Sequence, residues 1–202
     1  EMILEVVERM LKENVNKDIV DLVEHGQWSS SVWQLFKESS MTLVAVNEKN
    51  GGAGGDIEDL LNIVRLTGKY AAPIPFTETT FANYLLEYTG LNIVEDLATY
   101  MISTNQTFSL EDGRLNGIAS NIPWARHTNS LVAIATNLDK IHLVEVSLND
   151  AKLTNGSNLA GEPRDVVSFN NAKITQISKP LTSEQLFYIK TLETAFISAL
   201  MT

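Results

Sequence analysis

The chain has 202 residues, enough for one large domain or two small ones, and 44% of them are hydrophobic, so it can bury a real core. A formal net charge of −10, with only 15 Lys and Arg that form no run, leaves no cationic footprint to displace phosphate counterions and argues against nucleic-acid binding. There is no cysteine, which removes disulfides, thiolate catalysis and thiolate metal sites and fits a cytoplasmic protein; no apolar run is long enough to span a bilayer.

Ile3, Val6, Val7, Met10 and Leu11 recur at spacings of three and four, the pattern of an amphipathic helix. Asn14, Asn16 and Asp18 interrupt it, so residues 2–24 hold one or two helices, ended by Gly26. The charged opening Glu1-Met2-Ile3-Leu4-Glu5 reads as helix rather than as a secretory signal, and the lack of an initiator Met points to residues missing in front. Ser29, Ser30 and Ser31 offer N-caps for a helix through Val32, Trp33, Leu35 and Phe36. Met41–Val46 is a short apolar run, by composition a strand, or else a buried connector in a helical domain. Gly51-Gly52-Ala53-Gly54-Gly55 is a turn, and Asp56, with Asp59 three residues on, caps a helix that stops at Gly68. The glycines do not form a phosphate loop, because Asp56 stands where Lys and a hydroxyl residue are needed.

Pro73 and Pro75 exclude helix across Ala72–Pro75. A helix restarts near Thr77 and runs to Gly90, and Asn92 with Glu95 forms a capping box for one more short helix. From about Tyr100 to Ile177 the chain reads as short strands, with turns at Glu111-Asp112-Gly113, Asn137-Leu138-Asp139 and Asn170-Asn171. Leu131–Ala135 and Ile141–Val146 flank the second turn as a hairpin. After Pro180, Thr182 or Ser183 caps a last helix with a broad apolar stripe, still strongly apolar at Thr202, which reads as the opening helix of a further domain. The expected fold class is α+β: a helical bundle domain (1–98), a small antiparallel β-barrel or sandwich (99–179), and the start of a third, helical domain (180–202).

His25, His127 and His142 show no metal-ligand spacing, so no metal is expected; His142 lies in a strand, within reach of Glu145 but more naturally facing solvent. Gly156-Ser157-Asn158 lacks the second glycine of a nucleophile elbow. Trp124-Ala125-Arg126-His127 either stacks on a planar or anionic ligand or packs at the domain boundary, and the packing reading is favoured. Glu184 sits in the first turn of the last helix, where the helix dipole stabilises a carboxylate.

Trp33–Glu38, Val44–Glu48 and Gly51–Asp59, followed by Gly68–Pro75 with Glu78-Thr79, resemble the first domain of acyl-CoA dehydrogenases, with Asn47 in place of that family's proline. Gly113–Gly117, Ile122–Ala125, Leu131–Ala135 and Gly161–Phe169 are similar to its middle β-domain. The resemblance implies FAD held between the β-domain and a helical bundle, oxidation of the Cα–Cβ bond of an acyl-CoA, and a homo- or hetero-oligomer. By position it assigns Ile122, Pro123 and Trp124 to the flavin edge and makes Glu184 a candidate base, with Gln185 where some members have arginine. Two departures stand out. Nothing between Tyr100 and Leu110 matches the Thr-Glu-Pro segment that meets flavin and substrate. Asn121-Ile122-Pro123 also replaces Trp-Ile-Thr, and Pro123 has no N–H to donate. Both resemble the divergent branch in which unequal subunits pair and a partner completes the site.

Overall fold

The computed structural model describes residues 2–28, 30–103 and 108–202. Ser29, one of the expected caps, and residues 104–107, part of the stretch compared with the Thr-Glu-Pro segment, lie outside them. The interrupted pattern at the start resolves into two helices, α1 (Met2–Asn14) and α2 (Lys17–Glu24), because the Asn16 side chain caps the second by accepting from Ile19 N–H. Helix α3 (Ser30–Glu38) comes next and buries Val32, Trp33 and Phe36.

Met41–Val46 is the connector and not the strand. It forms a 3-10 turn over Met41–Leu43, and the carbonyls of Leu43, Val44 and Val46 accept from the amides of Ala53, Gly55 and Gly54 at 3.1, 2.8 and 3.1 Å. The glycine-rich stretch therefore folds back onto the connector. A Cβ on Gly52 would lie 1.9 Å from the Val46 carbonyl oxygen, which is why a side chain is excluded there.

Helix α4 (Ile57–Lys69) opens with the expected reciprocal Asp56/Asp59 box and passes Gly68 by one residue. Helix α5 (Phe76–Tyr88) is buried on nearly every side. Its side-chain amide and hydroxyl groups tie the helices to the β-domain and to the link that leads into it. Asn83 Nδ2 donates to Val94 O while Val94 N–H donates to Asn83 Oδ1, and Thr79 Oγ1 donates to Ala98 O. The helix expected after Asn92 does not form. Gln176 Oε1 takes the Asn92 amide and Asn83 takes that of Val94, so residues 91–97 are held as an irregular link instead.

The sheet comprises β1 (Ala98–Met101), β2 (Phe108–Glu111), β3 (Arg114–Pro123), β4 (Ser130–Asn137), β5 (Lys140–Ser147), β6 (Lys152–Thr154) and β7 (Arg164–Ile177). The order β4-β2-β3-β7-β5 closes through β4–β5 into a five-stranded barrel, with β6 added on β7. Pairing is antiparallel except that β1 and β2 both run parallel to β4, on residues 130–133 and 135–136. Strand β4 is apolar at every central position because both of its faces are covered: Leu131, Ala133 and Ala135 fill the barrel, while Val132 and Ile134 join the helical core. Asn170-Asn171 is not a turn. Strand β7 runs through it, and two residues, one at φ 59°, stand opposite Asn116 alone as a bulge.

Helix α6 (Ser183–Leu200) starts at a capping box of Thr182 and Gln185 and lies across α4 and α5. It buries Ile189, Leu192 and Phe196 in the core that also holds α1, α3, α4 and α5.

Candidate functional site

The start of α5, the end of β1, the end of β3 and the second half of α6 enclose a cleft of about 470 Å³. Its apolar wall is Met101, Ile102, Ile122, Pro123 and Ile197, and its polar groups include Glu78, Tyr100, Arg164 and Glu193. The sequence-level candidates divide here. Ile122 and Pro123 line the cleft. Trp124 does not; it is 3% exposed, its ring meets Trp28 edge-on at 5.7 Å, and Nε1 donates to Glu162 Oε1 at 3.0 Å. The packing reading of the Trp-Ala-Arg-His stretch is therefore the one the structure shows. Arg126 is likewise engaged inward: Nε donates to Asp165 Oδ1 at 2.9 Å and Nη2 to Asp165 and the Gly156 carbonyl. His127 stacks on Trp28, and burial with the Arg126 charge pushes its pKa down, opposed by Asp165. Glu184 is exposed on the first turn of α6 and is not among the residues lining the cleft. His142 is buried rather than solvent-facing, because Nδ1 lies 2.9 Å from the Ser178 carbonyl, and Glu145 pairs with Ser130 instead.

Glu78 carries no motif that marks it as a site residue in the sequence. It sits at the third position of α5, is 5% exposed and faces the cleft. No other described residue hydrogen-bonds to its side chain or forms an ion pair with it. Burial pushes its carboxyl up to about 7; the Glu162 charge adds to this, while its own backbone amide and Arg164 oppose it. Glu193, across the cleft on α6, is raised by burial and held back by Lys190. Arg164 is turned to Glu162 at 2.5 Å. The Tyr100 hydroxyl is held protonated, first by burial and then by Glu78 and Glu193. The arrangement offers two carboxyls that ionise reluctantly, an aromatic hydroxyl and an apolar wall.

The FAD implied by the resemblance can be tested on the edge assigned to it. A flavin ring presents carbonyl oxygens and ring nitrogens that need donors. Pro123 has no N–H, and its carbonyl is occupied by Thr99 Oγ1 at 2.6 Å. Trp124 N–H is spent on Pro163 O at 3.1 Å, and its indole N–H on Glu162. Glu78 and Glu193 bring acceptors and negative charge to the same cleft. Pro123 and Trp124 thus offer no free N–H to a flavin edge. Among the described residues, no group of His, Cys, Asp and Glu could hold a metal ion.

The sequence matches no protein-family model and, at a significant level, no curated protein. The fold does match solved structures. The chain is similar to the ChsE4–ChsE5 complex from Mycobacterium tuberculosis, with a TM-score of 0.85 and 13% identity over 98% of this chain and 60% of that one. It is similar to a Tcur3481–Tcur3483 steroid ACAD variant, with a TM-score of 0.84 and 15% identity over 98% and 60%. It is also similar to butyryl-CoA dehydrogenase from Megasphaera elsdenii, with a TM-score of 0.79 and 13% identity over 98% and 63%. The chain has the acyl-CoA dehydrogenase fold over nearly its whole length. It spans about three fifths of the length of these structures. Among the described residues no helix is long and apolar enough to cross a membrane.

Proposed function

We propose that the chain is part of a subunit of an acyl-CoA dehydrogenase-type assembly that does not itself hold the flavin, and that it pairs with a flavin-bearing homologue acting on an acyl-CoA. The observation that carries this is the edge at Pro123-Trp124, where proline has no N–H and both Trp124 N–H groups are engaged, inside an otherwise matching fold. Similarity to a ChsE4–ChsE5 complex, a structure of two differently named components, supports an unequal pair. A cytoplasmic location fits the cysteine-free composition.

The other reading makes the chain a flavoenzyme in its own right, with FAD taking hydride from the acyl thioester. It rests on the fold, which the three structures above support. Its sequence-derived base, Glu184, does not line the cleft, and at its flavin edge Pro123 has no N–H and the Trp124 amide is engaged by Pro163.

The purified full natural chain decides between them by its visible spectrum, before and after adding FAD. The unequal-subunit reading expects a colourless protein that takes up no FAD but co-purifies with a flavin-bearing homologue. A yellow homo-oligomer that an acyl-CoA bleaches would sink it.

A further inference from the structure

The cleft contains an unusual pairing for a surface opening. Glu78 is a carboxyl more than nine-tenths buried that faces into it, and among the described residues only its own backbone amide hydrogen-bonds to it. One backbone hydrogen bond does not offset the cost of burying a carboxylate, so the position favours the neutral acid or a cation supplied from outside. Glu193, on α6, lines the same cleft. The nearest fixed cation, Arg164, is already taken by Glu162. The charged groups around Glu78 are thus Glu162, Glu193 and Arg164, with Lys190 beyond Glu193, and carboxylates outnumber cations. Tyr100 adds an aromatic ring to the same wall, and Ile122 and Ile197 add apolar surface. Carboxylates beside an aromatic face, with apolar surface for a short alkyl stem, form a receptor for an organic cation.

We propose that this cleft binds an alkylammonium or guanidinium group, with Glu78 and Glu193 as its counter-charges and Tyr100 at its side. The proposal rests on the flavin-free reading of the edge, and the visible spectrum tests that reading separately. Binding a cation requires Glu78 to ionise, so a proton leaves as the ligand enters. With a free-state pKa of about 7, lowering the pH from about 7.5 to about 5.5 weakens binding about 25-fold if Glu78 is fully ionised in the complex.

The test is titration of the colourless full chain with n-butylammonium and, as the neutral control, n-butanol, followed by calorimetry and by amide NMR. Butylammonium is expected to bind at least tenfold more tightly than butanol near pH 7.5 and to lose that advantage near pH 5.5. Its shifts should centre on Tyr100, Ile122 and Glu193, and E78Q and E193Q should each weaken it at least tenfold while the far-ultraviolet spectrum stays unchanged. Equal binding of butanol, unchanged binding by both variants, or no binding at tens of millimolar would overturn the proposal. E193Q changes a half-buried position and keeps the test valid if E78Q does not fold. In the complex with a flavin-bearing homologue, lost butylammonium binding identifies that subunit's lysine or arginine as the natural cation. Retained binding identifies a free amine, and either result keeps the site.

Discussion

Replacing Glu78 by glutamine should make the protein more stable at alkaline pH, the reverse of what losing a charged surface group does. The side chain is 5% exposed, and its folded pKa of about 7 stands above an ordinary value of 4.5. At about 1.4 kcal/mol per unit, that difference corresponds to about 3 kcal/mol. The sign comes from proton binding. The folded state holds the proton more tightly than the unfolded state, so the associated stability is fully present below pH 4.5 and is lost as pH rises through about 7. Glutamine mimics the neutral acid and carries no such loss. Urea unfolding followed by circular dichroism, at steps from about pH 4 to pH 8, should show the two proteins near-equal at the acid end. At the alkaline end E78Q should lead by about 3 kcal/mol. Glu193, raised in the same direction, adds slope to both curves and cancels in the difference. Two parallel curves would refute the claim that burial raises the Glu78 carboxyl.

Three other substitutions probe the frame around the cleft. D165N should cost about 3–5 kcal/mol in urea unfolding, because Asp165 is fully buried and accepts from the Arg126 guanidinium and from the amides of Arg126 and Gly156. G68A should destabilise although glycine-to-alanine inside a helix ordinarily gains about 1 kcal/mol, since the new Cβ would meet the Leu200 carbonyl at 1.9 Å; the melting temperature gives the sign, and faster amide exchange in α6 the location. T182A should lose about 1 kcal/mol by deleting the α6 cap, measured in the same unfolding assay and restored by T182S.

The sequence is most legible where a local rule acts alone. The Asp56/Asp59 box, the Leu138-Asp139 hairpin turn and the Thr182 cap are each specified within a few residues, and each forms as expected. It misleads where distant groups compete for the same backbone. Asn92 and Glu95 carry a valid helix start, but Asn83 and Gln176 reach in from remote elements and take the amides that a helix would need. Met41–Val46 has the composition of a strand, yet its carbonyls are satisfied by the glycine stretch rather than by a ladder. The double burial of β4 is visible as an unbroken apolar run, though which face meets helices and which the barrel is not.

At the site, the edge at Asn121–Pro123 is legible because proline's missing N–H is a property of the residue itself. Glu78 enters the sequence reading only as part of a resemblance. A glutamate in a first helical turn is ordinarily a solvated dipole partner, as Glu184 is, and only the packing of β1, β3 and α6 over α5 makes it a buried acid. Glu193 does carry a signal, a carboxylate directly after Leu192 in a largely apolar helix.

The two parallel pairings on β4 have a consequence for how the cleft can vary. Met101 lies opposite Ala133, and Phe108 opposite Ala135. Strands β1 and β2 therefore share one lane of the sheet, each registered on β4 by its own pairing. Met101, at the end of the first half, lines the cleft together with Ile102 and Ser103. The register of β2 does not depend on those three side chains, so they can vary with what the cleft accepts while the barrel keeps its pairing.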